Sequence, residues 1–351
     1  MYDTYDEVAQ LGIRDPDFTK YLKARNLENM TSFAQLPGFL DPDSSTGRDQ
    51  GTVIPVPMRD GTTNPLRLHK PPAAAADPAR PSPLIVLLYG GGFVWGDNTQ
   101  SSPLARVLAR LHRATVVQPT YRLAPTHRFP TAAHDVWDAI EWLADPAGDA
   151  SRLLGPDVDL SAAGFVVGGL SAGANLAAVT AQAWISARRT PALSGLHLGC
   201  PGLFEGGERH VPAAYRPLWF SREQNADALI TGTAVLERVL AAYAPDTASP
   251  EWNPVNAGEE HSLGFPKTFV GVAGDDPLRD DGLVYWRILR DKGTETRLDV
   301  APGVPHGHTV FKGLEAATKS NVEAVRAYGW MLGDEKTDQE IMDALEKEEL
   351  I

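Results

Sequence analysis

Phe165-Val166-Val167-Gly168-Gly169-Leu170-Ser171-Ala172-Gly173-Ala174-Asn175-Leu176-Ala177 decides how this chain is read. An apolar run leads into Gly169-Leu170-Ser171-Ala172-Gly173, a G-x-S-x-G pattern, and a helical segment, 174–188, follows it. The pattern alone recurs by chance in Gly- and Ser-rich chains. A strand before it and a helix after it are what give it meaning. A tight strand-to-helix turn forces the serine backbone into a strained conformation and exposes its hydroxyl. Small residues must flank that serine, because the two backbones approach closely. The helix N-terminus adds a partial positive charge beside it. Ser171 is therefore the candidate nucleophile. On this segment alone the plainer reading, a Gly-rich loop that only turns the chain, stays open.

Outward from here the chain alternates strand and helix patterns. Residues 84–89, Leu-Ile-Val-Leu-Leu-Tyr, form a continuous apolar run, as expected of a strand buried on both faces of a parallel sheet. Similar runs cover 114–118, 164–168, 196–200, 268–272 and 297–300. Ahead of them, 52–57 and 66–71 read as two short strands around the turn Arg59-Asp60-Gly61. Helical spacing of apolar residues marks 102–113, 134–143, 174–188 and 282–289, with 320–332 as a closing helix. The pattern predicts an α/β domain whose mostly parallel sheet of about eight strands is flanked by helices. Residues 1–50 are polar, with a helical patch at 18–27 and Asp-Pro breaks at 15–16 and 41–42. Residues 70–83 are Pro/Ala-rich and read as a loop. The alternation stops between 204 and 254, where aromatic residues lie among charges, so a helix-rich insertion is expected there. The division is thus 1–50, a core from 51–203, an insertion at 204–254, the rest of the core at 255–333, and an acidic tail at 334–351.

Bulk properties narrow the function. With 43% hydrophobic and 22% charged residues, the 351-residue chain can bury a sizeable core. Its net charge is -13 and it has no Lys/Arg cluster, which argues against a nucleic-acid partner. The tail at 334–351 carries eight acidic and two basic side chains, and reads as a solvated helix or a frayed end. Cys200 is the one cysteine, so no intrachain disulfide forms. The start, Met1-Tyr2-Asp3-Thr4-Tyr5, lacks the basic and apolar pattern of a signal peptide. No apolar stretch reaches the ~20 residues of a membrane span. A cytoplasmic protein is expected.

Two further segments supply chemistry. Tyr89-Gly90-Gly91-Gly92-Phe93-Val94-Trp95-Gly96-Asp97 follows the strongest apolar strand. It fits neither phosphate-binding pattern: no Gly-Lys-Ser/Thr follows, and Gly96 is wrongly spaced for G-x-G-x-x-G. It fits an oxyanion hole, with the backbone N–H groups of Gly91, Gly92 and Ala172 as donors. One such donor typically contributes ~3–4 kcal/mol to the transition state. Downstream, the run at 268–273 ends at Gly274-Asp275-Asp276-Pro277-Leu278-Arg279-Asp280, and the last strand leads to Pro305-His306-Gly307-His308. An acid and then a base, after the serine and each past a strand end, is the required order, with Ser171, Asp276 and His306 as the candidate set. His308 competes with His306. The remaining histidines (His69, His112, His127, His134, His197, His210, His261) read as surface or satisfied core residues.

These motifs resemble the hormone-sensitive lipase-like branch of the α/β-hydrolases, which includes bacterial and fungal carboxylesterases. Tyr89–Gly92 with Phe93, Tyr121-Arg122-Leu123-Ala124-Pro125 with Phe129-Pro130, the Ser171 turn, and Asp276-Pro277-Leu278-Arg279-Asp280 with His306-Gly307 carry the match. The resemblance implies the α/β-hydrolase fold with a helical cap, formed here by 1–50 and the insertion. It selects Asp276, before Pro-Leu, over Asp275 and Asp280, and His306, before Gly, over His308. It makes Phe93, Trp95, Trp219 and Phe220 candidates for the substrate pocket. Two positions depart from the family. Tyr89 stands where His is usual, as a support for the oxyanion loop, and Leu170 stands where Asp is common.

The leading expectation is hydrolysis of a small, apolar carboxylic ester or lactone through an acyl-Ser171 intermediate, with no cofactor and no metal. The departures at Tyr89 and Leu170 motivate an alternative, a dehydratase- or cyclase-type enzyme on the same scaffold. A hormone-receptor-like binding protein ranks below both, because all three candidate catalytic residues are present. The oligomeric state is left open, a homodimer included.

Overall fold

The run that ends at Leu170 is a strand, Phe165–Leu170, near the middle of one eight-stranded sheet. Phe165 and Val167 pack into the apolar cluster on one face and Val166 into that on the other. Burial on both faces is why this strand carries no alternating polar residues. The computed structural model describes residues 2–31, 33–36, 50–72, 80–258 and 263–351. The Asp-Pro break at 41–42, residues 73–79 of the loop at 70–83, and His261 lie outside the described residues.

In chain order the strands are β1 (Thr52–Pro57), β2 (Thr63–His69), β3 (Leu84–Leu88), β4 (Thr115–Pro119), β5 (Phe165–Leu170), β6 (Gly195–Gly199), β7 (Lys267–Asp275) and β8 (Thr296–Pro305). They lie side by side as β1-β2-β4-β3-β5-β6-β7-β8. The pairs β1·β2 and β2·β4 are antiparallel and all others parallel. After β3 the chain steps outward to β4, then crosses back to place β5 on β3's other side. Such a reversal opens a crevice at the carboxyl ends of the two strands, where open α/β sheets bind ligands. The glycine loop leaves β3 there, and Ser171 leaves β5.

The helices are α1 (Tyr5–Gln10), α2 (Pro16–Ala24), α3 (Ser102–Leu111), α4 (Thr131–Ala144), α5 (Asp149–Leu154), α6 (Ala172–Ser186), α7 (Ser221–Gln224), α8 (Thr233–Tyr243), α9 (Arg279–Asp291), α10 (Glu315–Leu332) and α11 (Asp338–Lys347). Helices α4, α6 and α9 cover one sheet face, and α3, α10 and α11 the other. No helix among the described residues is long and apolar enough to cross a membrane.

Two differences from the sequence reading have physical causes. Strands β7 and β8 run longer than their apolar cores, because they pair with each other from Thr268↔Thr296 to Asp275↔Pro305. The extension carries the loops of Asp276 and His306 out to the same sheet edge. Residues 2–24 lie along that edge: Gly303 donates its N–H to Leu11 O (2.8 Å) and accepts from Asp15 N (2.9 Å). The acidic tail, expected to be solvated or frayed, is instead a docked helix. Thr337 and Glu340 form a capping box at the start of α11. Ile341, Ala344 and Leu345, at helical spacing, are buried among α3 and α10. Burial of an Ile or Leu contributes about 2 kcal/mol, enough to hold a stripe that the surrounding acids hide in composition. Glu348, past the helix end, is buried against Arg106 (2.7 Å) and Arg110 (2.9 Å).

Candidate active site

Ser171 sits between β5 and α6 with φ 57° and ψ -120°, a left-handed backbone that a serine adopts only under constraint. Its neighbours are small of necessity. A Cβ on Gly169 would lie 2.3 Å from the Gly173 carbonyl, and one on Gly173 would lie 2.2 Å from Leu88 O. Ser171 N–H donates to Gly199 O (2.8 Å), which ties the turn to β6.

The hydroxyl of Ser171 lies 2.8 Å from His306 Nε2, and His306 Nδ1 lies 2.7 Å from Asp276 Oδ2. His306 and Asp276 are buried. Asp276 Oδ1 accepts from Leu278 N (2.8 Å), and Asn225 Nδ2 donates to the Asp276 carbonyl (2.9 Å). The acids that compete with Asp276 in sequence have other partners. Asp275 pairs with Arg14 (3.1 Å), and Asp280 pairs with Arg279 (2.7 Å) while accepting from Ser221 N. His308 turns away from Ser171. Its Nε2 lies 2.9 Å from Ser320 Oγ, which donates to Asp299 Oδ2 (2.7 Å). Burial pushes the His308 pKa down to about 4. The Cys200 thiol lies beside Asp276 and His306, and burial pushes its pKa up to about 12, so it stays protonated.

Gly91, Gly92 and Ala172 line the cavity that holds Ser171. The glycine loop lies against the serine: a Cβ on Gly90 would sit 3.3 Å from Ser171 Cβ. At Gly91 φ is 128° and a Cβ would collide with Trp95 O, so only glycine fits. Among the described residues, no protein acceptor takes the N–H of Gly91 or Gly92. Ala172 opens α6, where the first amides have no partner within the helix. Tyr89 does not point at this site. Its ring stacks on Tyr121 at 4.2 Å, its hydroxyl donates to Tyr121 O (3.0 Å), and the Tyr121 hydroxyl donates to Tyr89 O (2.8 Å). This reciprocal clasp anchors the root of the glycine loop. Leu170 is a wall residue, packed with Cys200 and Ile230.

The cavity has a volume of about 1180 Å³. Phe93 and Trp95 line it; Trp219 and Phe220 do not. Trp219 donates its indole N–H to Asp281 (2.8 Å), and Phe220 lies between Tyr5 and Arg279. Helix α8 supplies the apolar wall instead, through Val235, Leu236, Val239 and Leu240. That stripe was visible at helical spacing in the insertion, but the cavity it faces was not.

The description of the alpha/beta hydrolase fold family matches residues 85–310, well over half of the chain. The chain belongs to the hormone-sensitive lipase-like branch of the α/β-hydrolases. This α/β-hydrolase is 33% identical to Carboxylesterase NlhH of Mycobacterium tuberculosis over 271 residues, 72% of this chain and 73% of that one. The crystal structure of a hyperthermophilic esterase from the archaeon Pyrobaculum calidifontis superposes with a TM-score of 0.67 at 30% identity, covering 80% of this chain and 86% of the other. That of vibralactone cyclase superposes with a TM-score of 0.76 at 25% identity, covering 92% and 96%. The α/β-hydrolase described here is an enzyme of the carboxylesterase type.

Proposed function

We propose that the enzyme hydrolyses a carboxylic ester or lactone of a small, mainly apolar molecule through an acyl-Ser171 intermediate. The observation that carries the reading is the unbroken hydrogen-bonded line from Ser171 Oγ through His306 to Asp276. His306 Nδ1–H donates to Asp276, which leaves Nε2 to take the serine proton. Ser171 Oγ then attacks the carbonyl carbon. The amides of Gly91, Gly92 and Ala172 receive the oxyanion, a charge-assisted set worth several kcal/mol. His306 protonates the leaving alcohol, then activates the water that releases the acid. Residues 1–50 and 204–254 act as a cap, with α8 as its face toward the substrate. The apolar wall favours a hydrocarbon-rich acyl or alcohol group.

A lactone-forming outcome differs only in the acceptor: an alcohol of the same substrate takes the acyl group in place of water. The likeness to vibralactone cyclase favours keeping this second reading. Two measurements test the proposal. A fluorophosphonate should modify one site, located at Ser171 by mass spectrometry, and short p-nitrophenyl esters should be turned over. Turnover in H₂¹⁸O separates the two readings: label in the product acid marks hydrolysis. Labelling at another residue, with turnover intact after Ser171→Ala, would overturn both.

A further inference from the structure

Charged side chains line the cavity at several points, and one of them stands on the loop after β6. Glu205 follows β6, lines the cavity that holds Ser171, and is only 8% exposed. Its Oε1 accepts from Arg222 Nη1 (2.7 Å). The other arm of Arg222 donates to Asp281 Oδ2 (2.8 Å). Asp281 is saturated, since it also accepts from Leu203 N (2.8 Å), Phe204 N (3.1 Å) and Trp219 Nε1 (2.8 Å). The nearby Arg279 is committed to Asp280. One guanidinium therefore faces two carboxylates. Among the described residues the second carboxylate oxygen of Glu205 has no partner.

The same wall holds other unsatisfied polar groups. Among the described residues, Asn175 Oδ1 and Trp252 Nε1 are buried without a partner, on residues 2% and 3% exposed. Asn175 also fixes where Glu205 lies relative to the nucleophile. Its N–H donates to Ser171 O (3.0 Å), and its Nδ2 donates to Gly202 O (2.8 Å) and Trp252 O (2.8 Å). The loop that bears Glu205 is thus hydrogen-bonded to the helical turn directly after Ser171. A buried carboxylate with no full counter-charge is costly, and a cation that completes the pairing recovers that cost.

We infer that Glu205 is a recognition site for a protonated amine on the ester substrate, which donates to the free carboxylate oxygen and supplies the missing positive charge. The inference rests on the proposed attack of Ser171 on an ester. It makes the cavity amphipathic, with the α8 stripe taking hydrocarbon and Glu205 taking the cationic end. Burial, helped by the charge of Asp281, raises the Glu205 pKa, and Arg222 opposes this. A bound ammonium would draw the group back to its ionised form.

The test compares dimethylaminoalkyl acetates with isoalkyl acetates of the same shape, in which carbon replaces nitrogen, over a series of chain lengths. The same pairing is made on the acyl side. The full-length protein should prefer the cationic ester in kcat/KM by roughly ten-fold or more at one chain length. Glu205→Gln should bring that ratio close to one. Glu205→Asp should restore a preference, shifted to a longer substrate. A ratio near one at every length in the unmodified protein, or an unchanged ratio in Glu205→Gln, overturns the inference. Neutral-ester turnover that depends on Ser171 but shows no charge preference sinks the role of Glu205 alone. Calorimetric binding of hexylammonium against hexanol reads the same contrast without turnover, and equal affinities would overturn the inference there too.

Discussion

The molecule contains two relays built from the same three residue types, and they are wired in different orders. In the first, His306 stands between Asp276 and Ser171. In the second, Ser320 stands between Asp299 and His308. The serines also differ in backbone. Ser171 is held at φ 57° in a turn between strand and helix, whereas Ser320 lies inside the regular helix α10. With the histidine in the middle, a base reaches the serine proton and a carboxylate steadies the base. With the serine in the middle, its proton already points at Asp299. His308 then faces the hydroxyl oxygen, and its pKa of about 4 makes it a poor base near neutrality. The residue set is therefore not the site. The order of the hydrogen bonds, the strained turn and the adjacent glycine amides make it one.

The largest expected effect sharpens this contrast directly. Ser171→Ala should lower kcat on p-nitrophenyl butyrate by roughly six orders of magnitude. Ser320→Ala should stay within a few-fold of the unmodified enzyme. If Ser320→Ala is equally inactive while still folded by circular dichroism, the two relays are not separable. Next, Asp276→Asn should cost about 10⁴-fold in kcat, because it stabilises the wrong tautomer of His306. Asp299→Asn, in the relay that has no hydrogen bond to Ser171, should show its effect in the melting temperature instead.

Smaller effects concern stability. Ser320→Ala strips a partner from both Asp299 and His308, and should cost about 1–3 kcal/mol in urea unfolding. A variant as stable as the parent would show that the second relay contributes little. The last effect is on pH dependence. His308 and His197 are buried, which lowers each pKa to about 4 from an ordinary value near 6.5. The unfolded chain takes up those protons first as pH falls. Stability is thus full above about pH 6.5 and declines toward pH 4, by on the order of 2 kcal/mol per histidine between pH 7 and 5. The Asp299 carboxyl, raised by burial, works in the opposite sense and offsets part of the decline. Replacing His197, stacked between Phe269 and Tyr328, with Phe should flatten the profile. An unchanged slope would count against a buried neutral imidazole.

Legibility in the sequence followed the range of the interaction. The Ser171 turn was readable because its constraint is local: a short stretch contains the strand, the small flanking residues and the helix start. The chain order Asp276 then His306 was readable because both loops leave strand ends. The expected pocket at Trp219 and Phe220 was not, since aromatic side chains in an insertion can face either the cavity or the core. Here they turned to Asp281 and to Tyr5. The docked tail was hidden because acids outnumber the three buried residues of α11 in any count of composition. Glu205 was invisible, since no motif marks it and its meaning depends on Arg222 and Asp281.

By itself the sequence determined the α/β alternation, the turn at Ser171 and the family, because periodicity and short-range sterics are properties of neighbouring residues. Only the tertiary structure decided that His308 is wired to Ser320, that Tyr89 clasps Tyr121, and which residues wall the cavity beside Ser171. These depend on side chains that meet across the sheet edge and the insertion, where a rotation of one bond or one loop exchanges partners without altering any local pattern.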